Sequence, residues 1–383
     1  MSMRLAKALL CVFLSGFGCC VTAGETGVTA NGVLIGMTAP FSGPNGVYGL
    51  DMKRVIQTYF RQINEAGGIH GRMLSLRVLD DGYETERAVA NTKALINTEK
   101  VFALLASYGS SPTTAAMNEA FGVARVPLVG AISGADSLRQ SPKDSSNNRY
   151  MFNVRASYAN ETEALVKHLV SLGMKNIAVV YQNDGFGKSG LDGVVGALKQ
   201  HRLAPSAVAS VERNSVDVAQ AVEQIAGVNP QAVIMVTLYK PTAAFVRGMK
   251  KADQMPQFMT LSPVGAELLV QELGEQARGI GISQVMPSPW NDTTPLAHEY
   301  RKLIGPQGKP SYYGLEAYAM ARVLVEALRK AGREPTREGL VNALESMHNL
   351  DLGGYRVSYS AQERSGSRFV DLTVIGPDGR IMH

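Results

Sequence analysis

The side chains of this chain best placed to do chemistry are hydroxyls and aromatic rings in short loops after apolar runs. Ser107-Tyr108-Gly109-Ser110-Ser111-Pro112 is the first such loop. Gly109 frees its backbone, and Pro112 suits the first turn of a helix. Ser110 or Ser111 is placed to cap that helix, and the free N–H groups beside them attract a carboxylate. A plain cap and a ligand contact both fit that position. Ile132-Ser133-Gly134-Ala135 follows the next apolar run, either as a polar turn or as a second contact loop. Further on, Arg155, Ser157 and Tyr158 follow an extended stretch. Arg155 is suited to bidentate pairing with an anionic ligand, or with a carboxylate of the chain itself. Asp184 and Phe186 follow the run ending at Tyr181, and Tyr239 follows Val233 to Val236. A lone tyrosine there either stacks on a ligand or plugs a core.

Enzyme chemistry finds little support. Gly185-Phe-Gly-Lys-Ser-Gly190 matches the G-x-G-x-x-G pattern of dinucleotide folds, and Glu212 stands near the place of a ribose-binding acid. Gln182-Asn183-Asp184 intervene after the strand, however, where the glycine turn itself should begin. An NAD-dependent dehydrogenase is therefore the lesser alternative. Gly187-Lys188-Ser189 resembles the end of a P-loop, but Gln182 occupies the place of its first glycine. There is no H-E-x-x-H, G-x-S-x-G or C-x-x-C. The 6 histidines are dispersed, and no acid–base pair can be assembled from spacing. No catalytic residue, metal or cofactor is expected.

These loops need elements to hold them. Apolar runs at 33–38, 74–79, 101–106 and 126–129 alternate with helical spacing at 50–66 and 84–97 and with a helix from about Pro112. After a polar stretch at 141–149 the rhythm resumes. Strands are predicted at 151–154, 177–181, 208–211, 233–236, 258–261 and 280–285. Helices are predicted at 160–172 and 189–201, and again between the later strands. Helices then dominate at 295–304, 313–331 and 336–347, before two final strands at 355–359 and 369–375 and a Pro377-Asp378-Gly379 turn. Alternation of this kind means βαβ units and parallel sheets covered on both faces. A chain of 383 residues divides into about two such lobes, near Tyr150.

Composition narrows the class. A 45% hydrophobic content with net charge +5 excludes a disordered chain, and Gly and Pro are scattered without period. The basic excess is spread thinly, which argues against a nucleic-acid partner. Residues 1–23 read as a secretory signal: Arg4 and Lys7, then the apolar stretch Ala8 to Phe17, then Val21-Thr22-Ala23. Cys19 and Cys20 leave a lipoprotein signal as the alternative. All 3 cysteines, Cys11, Cys19 and Cys20, lie in or beside this segment. The mature, exported chain would then hold no disulfide and no thiol nucleophile.

Several segments together resemble a known family. They are Thr38-Ala-Pro-Phe-Ser-Gly43, Tyr48-Gly49, Ile63-Asn-Glu-Ala-Gly-Gly-Ile-His-Gly71, Asp80-Asp81, Ala88-Val-Ala-Asn91, Asp184-Gly-Phe-Gly187 and Tyr313 to Ala321. Their order and spacing are similar to the solute-binding proteins of ABC importers, in the branched-chain amino acid (Leu/Ile/Val-binding) group. The resemblance implies a two-lobed type I periplasmic binding fold, each lobe a mostly parallel sheet flanked by helices. It also implies three crossings, near Phe152 to Ser157, Gln284 to Pro287 and Leu352 to Tyr355. The N-terminal lobe would take 28–152 and 285–351, and the C-terminal lobe 155–283 and 355–383. The implied function is capture of a small amino acid or carboxylate by hinge closure, followed by delivery to a membrane permease. A ligand-sensing protein that reports to a receptor is the alternative.

The implied ligand-binding residues are Tyr48, Tyr108, Ser110, Ser111, Ser133, Gly134, Ala135, Arg155, Tyr158, Asp184, Phe186, Tyr239 and Val264. In the family a serine at the position of Ser110 or Ser111 binds the ligand carboxylate. One departure stands out: Val264 occupies the place of the acid that holds the ligand's ammonium group. Either Asp184 or Glu267 substitutes, or the ligand lacks an amine and is a small, aromatic or aliphatic, carboxylate.

Overall fold

The computed structural model describes residues 24–291 and 294–383. The leader expected over 1–23 lies outside the described residues. The first half of the chain builds β1 (Gly32–Ala39), α1 (Gly46–Glu65), β2 (Met73–Asp80), α2 (Thr85–Asn97), β3 (Ala103–Tyr108), α3 (Ser110–Ala116), β4 (Leu128–Ile132) and β5 (Met151–Phe152). These strands make one sheet in the order β2-β1-β3-β4-β5, parallel throughout. Every residue of β3 and β4 is buried, as a strand with both faces covered requires.

The second sheet follows. The chain forms α4 (Tyr158–Ser171), β6 (Ile177–Gln182), α5 (Gly185–Gln200), β7 (Val208–Val211), α6 (Ala219–Ala226), β8 (Ala232–Val236), α7 (Tyr239–Lys251), β9 (Gln257–Thr260), α8 (Ala266–Leu273) and β10 (Gly281–Gln284). It then adds α9 (Pro295–Ile304), α10 (Tyr312–Ala331) and α11 (Arg337–Glu345). A small hairpin, β11 (Leu350–Asp351) with β12 (Arg356–Val357), precedes β13 (Asp371–Ile375) and β14 (Ile381–Met382). The second sheet runs β14-β13-β10-β9-β8-β6-β7, with β13 antiparallel to β10 and β14 antiparallel to β13. Helices α9 and α10 return to pack on α1, and α10 also covers β3 and β4. The chain thus leaves the first sheet after β5, comes back after β10, and leaves again before β13.

Three sequence expectations shift. Strands β3 and β4 run later than expected, to Tyr108 and Ile132. Ser107 and Tyr108 pair with Ala131 and Ile132, so they belong to the sheet rather than to a loop. Helix α5 begins at Gly185, not Ser189. The glycines there are dictated by a tight strand-to-helix turn: a Cβ at Gly187 would stand 1.8 Å from the Gln182 carbonyl oxygen. That removes the dinucleotide reading of Gly185 to Gly190, because the pattern lies inside the helix. Last, the strand expected over 355–359 shrinks to Arg356–Val357. Beyond it Arg364 bonds to Glu345 and the Arg149 carbonyl, on the first-sheet side. The last passage between sheets therefore falls between Val357 and Asp371, later than Leu352 to Tyr355.

Candidate functional site

Parallel sheets place loops and helix N-termini at the carboxyl ends of their strands. Here those ends face one another. From the first sheet, Gly109 turns the chain with φ +90, and a Cβ on it would stand 2.4 Å from the Tyr83 ring. Helix α3 then starts at Ser110, and neither Ser110 nor Ser111 caps it. Because β3 runs on to Tyr108, Ser110 is the first helical residue and its hydroxyl points across the gap. Ser110 Oγ shares a 2.8 Å hydrogen bond with Ser133 Oγ and lies 3.4 Å from the Tyr158 hydroxyl. Ser133 also accepts the Ala135 N–H at 3.2 Å, and the Gly134 carbonyl accepts the Tyr158 N–H at 2.9 Å. Gly134 has no room for a side chain, since a Cβ would stand 2.5 Å from the Tyr158 ring.

The second sheet supplies the other wall. Ser157 caps α4 with a capping box to Asn160, and this fixes Tyr158 in the first turn. The Phe186 ring lies 5.2 Å from that of Tyr158. Asp184 caps α5, accepting the N–H groups of Phe186 and Gly187 at 2.9 and 3.1 Å. Its other oxygen accepts from Gln182 Nε2 at 2.7 Å and from the Tyr83 hydroxyl at 3.3 Å. Ser111 Oγ accepts the Gly185 N–H at 2.8 Å across the gap.

Tyrosines fill the middle. Tyr48 donates to the Val264 carbonyl and Tyr313 to the Pro263 carbonyl, each at 2.8 Å. Tyr239 donates to the Pro44 carbonyl at 3.1 Å. The rings of Tyr48 and Tyr313 are 4.4 Å apart, those of Tyr48 and Tyr108 5.6 Å, and those of Tyr48 and Tyr239 5.9 Å. Burial pushes the hydroxyls of Tyr48, Tyr83, Tyr108 and Tyr313 well above the ordinary tyrosine range, so they remain neutral donors. At the outer edge of this cluster a cavity of about 490 Å³ opens, lined by Tyr48 and Tyr313 on one side and Glu267 and Leu268 on the other. A larger hollow of about 950 Å³ lies between α1 and the edge strand β2, away from the strand ends.

Beneath the tyrosines sits a buried ion cluster. Arg155 donates to Glu161 Oε1 at 2.8 Å and to the Ser262 hydroxyl, and it stands 3.6 Å from Glu316 of α10. Its guanidinium lies 5.8 Å from the centre of the Tyr158 ring. Burial alone would lower the Arg155 pKa, but Glu316 and Glu161 more than offset that and hold it raised. Burial pushes Glu316 up to about 7, against the pull of Arg155. Three buried polar atoms here have no hydrogen-bond partner: the Tyr108 hydroxyl, Arg155 Nε and Glu316 Oε1.

All the residues singled out in the sequence lie in this one region, and the structure adds others. Val264 contributes its carbonyl, while its side chain is fully buried. Glu267 is turned toward the Tyr312 N–H, at 2.8 Å. Tyr83, Gln182, Glu161, Tyr313, Glu316 and Arg139 were not picked out. Tyr83 follows β2 just as Tyr108 ends β3, so the strand-end rule could have found it. Glu316 is an acid within the buried stretch of α10, a pattern that demands a partner.

Two sheets with facing carboxyl ends, joined by three chain passages, define a two-lobed binding fold. The family model described as "Periplasmic binding protein" matches residues 32–380. The chain belongs to that family, and its relatives include Leu/Ile/Val-binding protein homologues. Leu/Ile/Val-binding protein homolog 7 of Brucella abortus (strain 2308) is 25% identical over 319 residues, covering 78% of this chain and 77% of the relative. A substrate-binding periplasmic protein from Ralstonia solanacearum superposes with TM-score 0.84 at 31% identity, over 91% of this chain and 99% of that one. A branched-chain amino acid ABC transporter protein from Thermus thermophilus with bound valine shares the fold at TM-score 0.81 and 18% identity, over 94% of this chain and 95% of that one. The fold is the type I periplasmic binding fold, and the family is one of solute-binding proteins. Among the described residues no helix is long and apolar enough to cross a membrane.

Proposed function

We propose that this protein is the periplasmic substrate-binding component of an ABC importer. It captures a small amino acid or carboxylate between its lobes, closes by a hinge, and presents the closed form to a membrane permease. The observation that carries this reading is the hydroxyl cluster of Ser110, Ser133 and Tyr158, built from both lobes beside the unpartnered Tyr108 hydroxyl and Arg155 Nε. Buried polar groups without partners are costly, and a bound solute satisfies them. The lobes are 28–152 with the segment carrying α9 to α11, and 155–283 with the segment carrying β13 and β14. Residues 1–23 direct export.

In this reading, Ser110, Ser111 and the Ser133-Gly134-Ala135 turn hold the solute's carboxylate. Tyr48, Tyr108, Tyr158, Phe186 and Tyr239 enclose its body, with Arg155, Asp184 and Val264 completing the wall. A solute that touches both lobes only when they meet drives closure by its differential affinity. Moving a two-state equilibrium from 1:99 to 99:1 takes about 5.5 kcal/mol, within reach of a few charge-assisted bonds and one buried apolar group. Small-angle scattering tests this. The radius of gyration should fall at saturating solute, and an unchanged radius despite measured binding would refute hinge closure.

A further inference from the structure

We infer that the captured solute is an aromatic carboxylate carrying no ammonium group, an inference that rests on the capture reading above. An ammonium needs a free anion, and beside the serines none is free; Glu267 lies at the outer cavity instead, with one oxygen on the Tyr312 N–H. Asp184 spends one oxygen on its helix cap and the other on Gln182 and Tyr83. Glu161 accepts from Arg155, from the Ser262 N–H and from the Ser283 hydroxyl. Glu316 stands 3.6 Å from the Arg155 guanidinium, so an ammonium brought there would crowd a second cation against the first. That Glu316 oxygen, ion-paired to Arg155 but without a hydrogen bond, is better met by a neutral donor such as a phenol.

The opposite charge is in surplus behind the serines. Arg139 donates to the carbonyls of Ser133, Gly134 and Ala156 and to the Ser365 hydroxyl. Among the described residues no ion pair to Arg139 is formed, whereas Arg155 has two. A carboxylate seated at Ser110 and Ser133 therefore meets, directly behind that turn, a cation with no carboxylate in contact, Asp136 and Glu316 acting on it only from further off. Arg139 acts through the turn, as a positioning residue. The tyrosine rings around Tyr48 and Tyr108 suit a flat aromatic body, stacked or edge-on.

The test is calorimetry on the full protein stripped of solute, with 3-phenylpropanoate and L-phenylalanine as the principal pair. They share one skeleton and differ only by the amine. 3-Phenylpropanoate should bind at least tenfold tighter. Arg139→Gln should lower its affinity at least tenfold, and Arg139→Lys should recover most of that loss. Should Arg139→Gln lose its fold by circular dichroism, Ser110→Ala supplies the same reading. Equal or tighter binding of L-phenylalanine or L-leucine overturns the inference. So does silence from all of 3-phenylpropanoate, 4-hydroxybenzoate, L-phenylalanine and L-leucine. The capture reading is judged separately, by whether protein retaining its co-purified solute scatters as a smaller particle than stripped protein. Failure of the solute inference leaves the capture reading standing.

Discussion

Two buried polar clusters share the cleft and use their atoms in opposite ways. The Arg155, Glu161 and Glu316 cluster holds the strongest charges, and nearly all of them are spent on one another, on Ser262 and on Ser283. The Ser110, Ser133 and Tyr158 cluster is neutral, is linked by long or shared hydroxyl bonds, and lies beside donors without partners. The lesson is that the residues most suggestive of chemistry in a sequence are here consumed in joining the lobes. The modest hydroxyls remain available to a guest.

Breaking the ion cluster should have the largest effect. Arg155→Met strands two buried carboxylates, and a loss of about 3–5 kcal/mol in urea unfolding is expected. A loss below about 1 kcal/mol would show that the cluster holds little together. Next comes Tyr48→Phe, which leaves the buried Val264 carbonyl without its donor from the other lobe. A buried acceptor left unpaired costs about 1–3 kcal/mol. The cost falls on the closed form, so scattering should show an expanded unliganded protein while circular dichroism stays unchanged.

The hydroxyl cluster should respond in the reverse sense. Ser110→Ala should change stability by less than about 1 kcal/mol, since Ser133 keeps the Ala135 N–H, yet weaken solute binding at least tenfold. A large stability loss would erase the contrast between the clusters. The smallest effect concerns pH. Burial raises the Glu316 carboxyl from 4.5 to about 7. The folded state therefore holds its proton more tightly than the unfolded chain does. The stability this confers is full below the unfolded value and is lost as pH rises through the folded one. Melting temperature should fall between about pH 4.5 and pH 7, and Glu316→Gln should flatten that slope.

The same contrast explains how far the sequence could be read. Apolar runs such as Val233 to Val236 and glycine stops such as Gly67-Gly68 made the alternation of strands and helices plain. Ends were less legible. Ser107 and Tyr108 look like loop residues but pair with β4. Gly185 to Gly187 look like a turn but open a helix, because the packing against Gln182 outweighs their poor helix propensity. The strand-end rule gathered the hydroxyls into one cleft. It could not reveal Glu316 or Arg139, whose partners Arg155 and Ser365 lie 161 and 226 residues away in chain order, because those contacts exist only in the folded chain.

The central claim, that a solute is enclosed between the lobes, has a direct test. An ideal Cβ at Gly185 stands 2.8 Å from Ser111 Oγ of the other lobe, so Ser111→Cys with Gly185→Cys should cross-link on oxidation. Oxidised protein should retain its co-purified solute, followed by mass spectrometry, through dialysis that strips the reduced form. Loss of solute at the same rate from both forms would contradict enclosure.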